Sequence, residues 1–156
     1  MADAALADLL GVSDGLRAQA VDRWAGAAWF AALKRSTEGD EFYKDRDYAS
    51  ATTAYRAALQ LLQPLTARAA EVLQTALQDG QTAFMQGNQK LALQRFDLAK
   101  AIAPNNLTAE QGYERALKLD LVMSLVNAAA DFEYASRWPD ALNKYAEALA
   151  VDPQWP

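Results

Sequence analysis

The chain has 156 residues, 52% of them hydrophobic, with 15 Lys and Arg against 20 Asp and Glu and a formal net charge of −5. That length suffices for one compact domain with its own core. The mildly acidic balance, without basic clusters, speaks against nucleic acid or an anionic membrane surface, which are bound by neutralising phosphate. Cysteine and histidine are both absent, which removes disulfides, thiolate metal sites, redox centres and the commonest general base. No charge-free run approaches the roughly 20 residues a membrane span needs, so no membrane insertion is expected.

In chain order, residues 1–12 are rich in alanine and leucine and read as a short helix or a frayed lead-in. MADAALADLL carries neither the basic n-region nor the apolar h-region of a signal peptide. The chain is therefore expected to be cytosolic or a soluble part of something larger, and its cysteine-free composition suits cytoplasm and periplasm equally. Ser13 and Asp14 are N-cap residue types, and a helix is expected from Leu16 to about Asp45. Trp24 and Trp29, five positions apart, are separated by about 140° on a helix, so one is expected inside and the other half exposed. Gly39 and Phe42 precede a turn at Asp45–Asp47, and Tyr48, Ala51, Tyr55, Ala58 and Leu59 follow it on one helical face. Pro64 is expected to end that helix, lacking the N–H and crowding a helix interior.

A second helix pair is expected from about Thr66 to Ala103, with a tight turn at Gly87-Asn88 and a stop at Pro104. Thr108, with Gln111 three residues on, has capping-box spacing for the next start. The third pair runs from Thr108 to about Ser136 and from Pro139, suited to the first helical position, to about Val151. Trp138 and Trp155 flank this last helix and are expected to pin the end of the domain. Leu142 and Ala146, four apart, form an apolar strip that a following helix would normally cover. With three residues after Pro153, this end is expected to self-associate or to be the edge of a longer protein.

The middle pair carries the most specific pattern. Gly80 and Gly87, then Ala92, Phe96, Ala99 and Pro104, place small residues where two antiparallel helices touch and one large ring in the gap. That order resembles the tetratricopeptide repeat, an αα-hairpin of 34 residues. Laid over it, Ala51, Ala92 and Ala141 coincide, as do Tyr55, Phe96 and Tyr145, and Ala58, Ala99 and Ala148. Departures are the loss of the early aromatic of the first helix, replaced by Arg35, Ala76 and Leu125, and Ala83 where Phe42 and Phe132 stand in the other units. Equivalent residues lie 41 and then 49 apart, which against the 34-residue repeat inserts 7 and 15 residues, close to two and four helical turns. TARAAEV and LTAEQGYERALKLDL therefore read as helical lengthening rather than loop. The expected fold is all-α: a solenoid of three repeats (residues 32–65, 73–106 and 122–155) with an N-terminal helical extension (1–31), forming a single domain.

Catalysis has little to stand on. Asp45 and Asp47 bracket a turn and read as caps, Glu38–Glu41 as a solvated charge run. Gly80 and Gly87 lack the preceding strand and following Lys-Ser/Thr of a phosphate loop. No cofactor or metal is expected. The resemblance implies a non-catalytic scaffold that binds a peptide or partner protein along a concave face made by the first helices. The implied positions are Tyr43 and Lys44, then Leu77, Gln81, Phe84 and Met85, then Met123, Val126 and Tyr134. The Lys, Asn and Arg set with which chaperone-binding relatives clamp a terminal carboxylate is nearly absent from the face. Acidic, alanine-rich, long-helix repeats resemble those attached to bacterial envelope proteins. Two other readings stay open: a homo-oligomerisation module, and a regulatory or sensor part of a larger, membrane-anchored or enzymatic protein.

Overall fold

The computed structural model describes residues 1–156, all of them in helices or short connections, and helix accounts for 84% of the chain. The helices are α1 (Ala2–Ala18), α2 (Ala27–Lys44), α3 (Tyr48–Met85), α4 (Gln89–Ile102), α5 (Leu107–Leu117), α6 (Leu119–Tyr134) and α7 (Trp138–Val151), with a 3-10 turn at Val21–Arg23. They form two compact units: residues 1–75 with 101–104, and residues 76–100 with 105–156. The long helix α3 gives its first part to one and its last part to the other.

Three connections, α2–α3, α3–α4 and α6–α7, share one hydrogen-bond pattern. The N–H of Asp47 donates to Phe42 O, that of Asn88 to Ala83 O and that of Arg137 to Phe132 O, at 2.8–2.9 Å. One residue earlier, the N–H groups of Arg46, Gly87 and Ser136 donate to Tyr43, Phe84 and Glu133 at 2.9–3.0 Å. These paired bonds satisfy the last carbonyls of each helix and require a left-handed residue in the middle. Arg46, Gly87 and Ser136 hold that place, with φ of 63°, 71° and 57°. The next helix is then capped by side-chain oxygens in two of the three: Asp47 accepts from the Ser50 N–H and Asn88 from the Leu91 N–H, both at 3.1 Å.

In the first unit the buried stripe of α1 (Ala2, Ala5, Leu9, Leu16) meets Trp29 and Ala32 of α2 and Ala51, Tyr55, Ala58 and Leu62 of α3. Gly39 lets α2 approach α3, since a Cβ there would fall 2.5 Å from the Tyr55 ring. Trp29 is buried, as one of the two tryptophans was expected to be, while Trp24 is half-buried and donates its Nε1–H to Gln19 O at 2.8 Å.

Two expectations fail in this unit. Ser13 and Asp14 do not open a helix: Ser13 lies inside α1, buried on the stripe between Leu9 and Leu16. Continuing that apolar face outweighs the single hydrogen bond of a cap. The chain breaks later, at Gln19–Gly26, where Ala20 and Gly26 both take φ of 52°. Pro64 does not end its helix either; it sits within the 38 residues of α3. The proline is exposed while Leu62 and Leu65 on either side are buried, so the ring faces solvent and the core face passes it unbroken. The Thr66 hydroxyl donates to Gln63 O at 2.7 Å beside it.

The second unit is built around Phe96, which is wedged between Gly80 of α3 and Gly112 of α5. A Cβ on the former would lie 3.0 Å from the ring, and one on the latter 2.6 Å from its Cδ1. Ala83, Phe84, Ala92, Ala116 and Leu119 complete this core. The segment TARAAEV is helical, within α3. LTAEQGYERALKLDL is helical except at Lys118, which separates α5 from α6. The freed Leu117 carbonyl accepts from Gln89 Nε2 at 3.1 Å, and Ala116 and Leu119 on either side of the break both enter the core. Thr108 is not the cap: Asn106 is, its side chain accepting from the Ala109 N–H at 2.9 Å. Pro104 does follow the end of α4, and Pro139 falls in the first turn of α7.

Candidate functional site

Two of the expected face residues belong to the first unit. Tyr43 stands at the C-terminal turn of α2, where its hydroxyl donates to Asp3 Oδ1 at 2.8 Å and its ring meets Tyr48 edge-on at 5.2 Å. The hydrogen bond to the Asp3 carboxylate raises the phenol pKa. Lys44 is exposed and paired with Glu41 at 2.9 Å, a contact that raises its pKa. Beneath, Tyr55 donates to Asp40 Oδ1 at 2.8 Å, and burial, reinforced by that bond, lifts its pKa to about 12. The other side of the α2–α3 pair carries a shallow cleft of about 560 Å³, with Phe42, Ala54 and Ala57 along it and the Arg35–Glu38 pair at its rim.

The other expected residues lie in the second unit and differ sharply in exposure. Met85 and Tyr134 close α3 and α6 at equivalent places before their turns and are 57% and 96% exposed. Gln81 is exposed as well. Leu77, Met123 and Val126 are half-buried, and the Met123 methyl covers Gly87, 3.2 Å from where a Cβ would stand. Phe84 is not a face residue: it is 2% exposed. Its burial comes from two residues remote in sequence. Arg115 of α5 lies over one side of the ring at 4.6 Å, and the Trp155 ring packs at 5.6 Å.

That cluster is the most tightly organised polar assembly in the unit. Asp152, 4% exposed, accepts from Arg115 Nε at 3.0 Å and from Arg115 Nη2 at 2.9 Å. Arg115 Nη2 also donates to Gln154 O at 3.1 Å. The Gln154 N–H turns back to Asp152 Oδ1 at 3.1 Å, and the Trp155 N–H to Asp152 O at 3.0 Å. Planar, two-pronged pairing of this kind is what guanidinium offers carboxylate. Sequence reasoning placed Trp155 at the end of the domain but missed Arg115 and Asp152, for nothing local ties residues 37 apart. Trp138, expected to pin the same end, is 63% exposed.

The carboxylates singled out in the sequence have structural positions. Asp47 caps α3, and hydrogen bonds from the Ser50 side chain and backbone lower its pKa. No helix is long and apolar enough to cross a membrane. Set beside protein-family models, curated proteins and solved structures, the chain matches none of them.

Proposed function

We propose that the chain is a non-catalytic interaction scaffold, its helical hairpins being tetratricopeptide-like repeats of a short solenoid that binds a peptide or partner protein. The observation that carries this reading is the threefold recurrence of one hairpin. The same pair of hydrogen bonds closes each turn, and the same small residues, Ala51, Ala92 and Ala141, then Ala58, Ala99 and Ala148, are buried beyond it. Repeats of this kind present partner-facing side chains from each first helix. The exposed ones among the expected positions are Tyr43, Lys44, Gln81, Met85 and Tyr134; Phe84 drops out as core. Within the second unit, the amide of Gln81, the thioether of Met85 and the ring of Tyr134 suit an amphipathic segment better than a terminal carboxylate. The test is affinity capture with the immobilised chain beside a Met85→Glu/Tyr134→Ala double variant of equal thermal midpoint. A discrete partner held by the first and lost from the second is expected; identical captured sets would count against the face.

Self-association is a second reading, favoured by α7. Trp138, Leu142 and Leu149 are 63%, 69% and 48% exposed, and their spacing puts them within about 40° of one another around the helix. Leu149 thus joins Trp138 and Leu142 on one outer strip. Sedimentation across a concentration series, with Leu142→Glu alongside, decides: a wild type that stays monomeric throughout removes this reading.

A further inference from the structure

The segment after α7 is held to α5 by contacts that resemble a bound peptide more than a helix end. One buried carboxylate, Asp152, takes two nitrogens of Arg115. The backbone is then gripped once, at Gln154 O, and one aromatic ring, Trp155, lands on Phe84. Between these anchors the side chains of Pro153 and Gln154 are exposed, and a cleft of about 280 Å³ opens beside the segment, bordered by Gln111, Glu114 and Lys118. A charge clamp, one main-chain bond and one ring spaced three residues on are the ingredients of short-motif recognition.

We propose that Arg115 and Phe84 form a seat for an acidic–x–x–aromatic segment, occupied in cis by Asp152–Trp155 and open to a competing segment of the same chemistry from a partner. The inference rests on the reading of the chain as a peptide-binding module and names one ligand class for it. Arg115 supplies the specificity, since its fork reads a carboxylate and its plane stacks on Phe84 at 4.6 Å. The ring of the incoming aromatic supplies the apolar contact. The cis segment acts as a competitor at an effective concentration on the order of millimolar, as short tethers do. Only a partner with more contacts, or one present in excess, displaces it.

The experiment uses a fluorescein-labelled peptide copying residues 148–156, read by anisotropy against the whole chain. The probe targets are the wild type and an Asp152→Ala/Trp155→Ala variant, whose own segment has lost both anchors. The variant should bind the peptide saturably, and the wild type about tenfold or more weakly, because its own segment competes. Replacing the peptide's tryptophan by alanine, or adding Arg115→Gln to the opened variant, should abolish binding. No saturable binding to an opened variant that still melts cooperatively would overturn the proposal, as would binding that survives Arg115→Gln. An opened variant that no longer melts cooperatively would overturn it too, by making the segment a fixed part of the fold. If this fails while capture through Met85 and Tyr134 persists, the scaffold reading stands and only this seat is lost.

Discussion

Glycine-to-alanine exchange at Gly39 and Gly15 should have opposite signs, although both lie in helices of the same unit. Within a helix, alanine is favoured over glycine by about 0.5–1 kcal/mol because less backbone entropy is lost on folding. At Gly15 nothing lies within 4 Å of the new Cβ, so that gain is realised in full. At Gly39 the Cβ would meet Tyr55 Cε1 at 2.5 Å and Cδ1 at 2.6 Å. Tyr55 cannot withdraw: it is 1% exposed and tied to Asp40 through its hydroxyl. Overpacking of this kind costs about 1–3 kcal/mol, which leaves Gly39→Ala destabilised by up to about 2.5 kcal/mol after the helical gain. Urea unfolding followed by circular dichroism and by tryptophan emission measures both, and Trp29 reports on this core. A Gly39→Ala chain as stable as Gly15→Ala would refute the close approach of α2 and α3 and the register derived from it.

Arg46→Gly and Ser136→Gly should each stabilise by about 0.5–1 kcal/mol, because the left-handed conformation disfavours side chains other than glycine; Gly87→Ala should lose at least as much, and thermal melts of the three rank them. Ala92→Leu, at a position with no exposure, should cost about 1–3 kcal/mol, and an unchanged midpoint would place Ala92 on the surface. Tyr55 holds its proton to about pH 12 when folded, against 10.0 for the free phenol. The folded state thus binds the proton more tightly, and the stability this gives is complete below pH 10 and lost as pH rises towards 12. Unfolding midpoints measured across that window should fall in the wild type and fall less in Tyr55→Phe.

What was legible in the sequence was whatever depends on close approach. Gly80, Ala92, Phe96 and Ala99 announce a helix pair because only small residues and one ring fit between touching helices, and the structure buries all four. Signals that act through one hydrogen bond were less dependable. Ser13 looks like a cap and Pro64 like a stop, yet each lies within a helix, overruled by Leu9 and Leu16 or by Leu62 and Leu65 entering the core. The break at Lys118 had no local signal, and the group that accompanies it, Gln89 bonded to Leu117 O, comes from another helix. Phe84 was misassigned for a related reason. Its position on α3 fits a surface role, and it is covered by residues distant along the chain, Arg115 and Trp155 among them.

The continuity of α3 bears on how the chain melts. A helix is costly to start and inexpensive to extend, and here one nucleus serves both units, because the helix that supplies Tyr55 to the first also supplies Phe84 to the second. Each unit's order therefore lowers the entropy still to be lost by the other, a coupling carried by the backbone itself. Pro64 is the weak link in that rod, with no N–H to bond back to Gln60 O. Amide exchange along α3 should accordingly be fastest in the turn around Pro64 and slower towards both Tyr55 and Phe84.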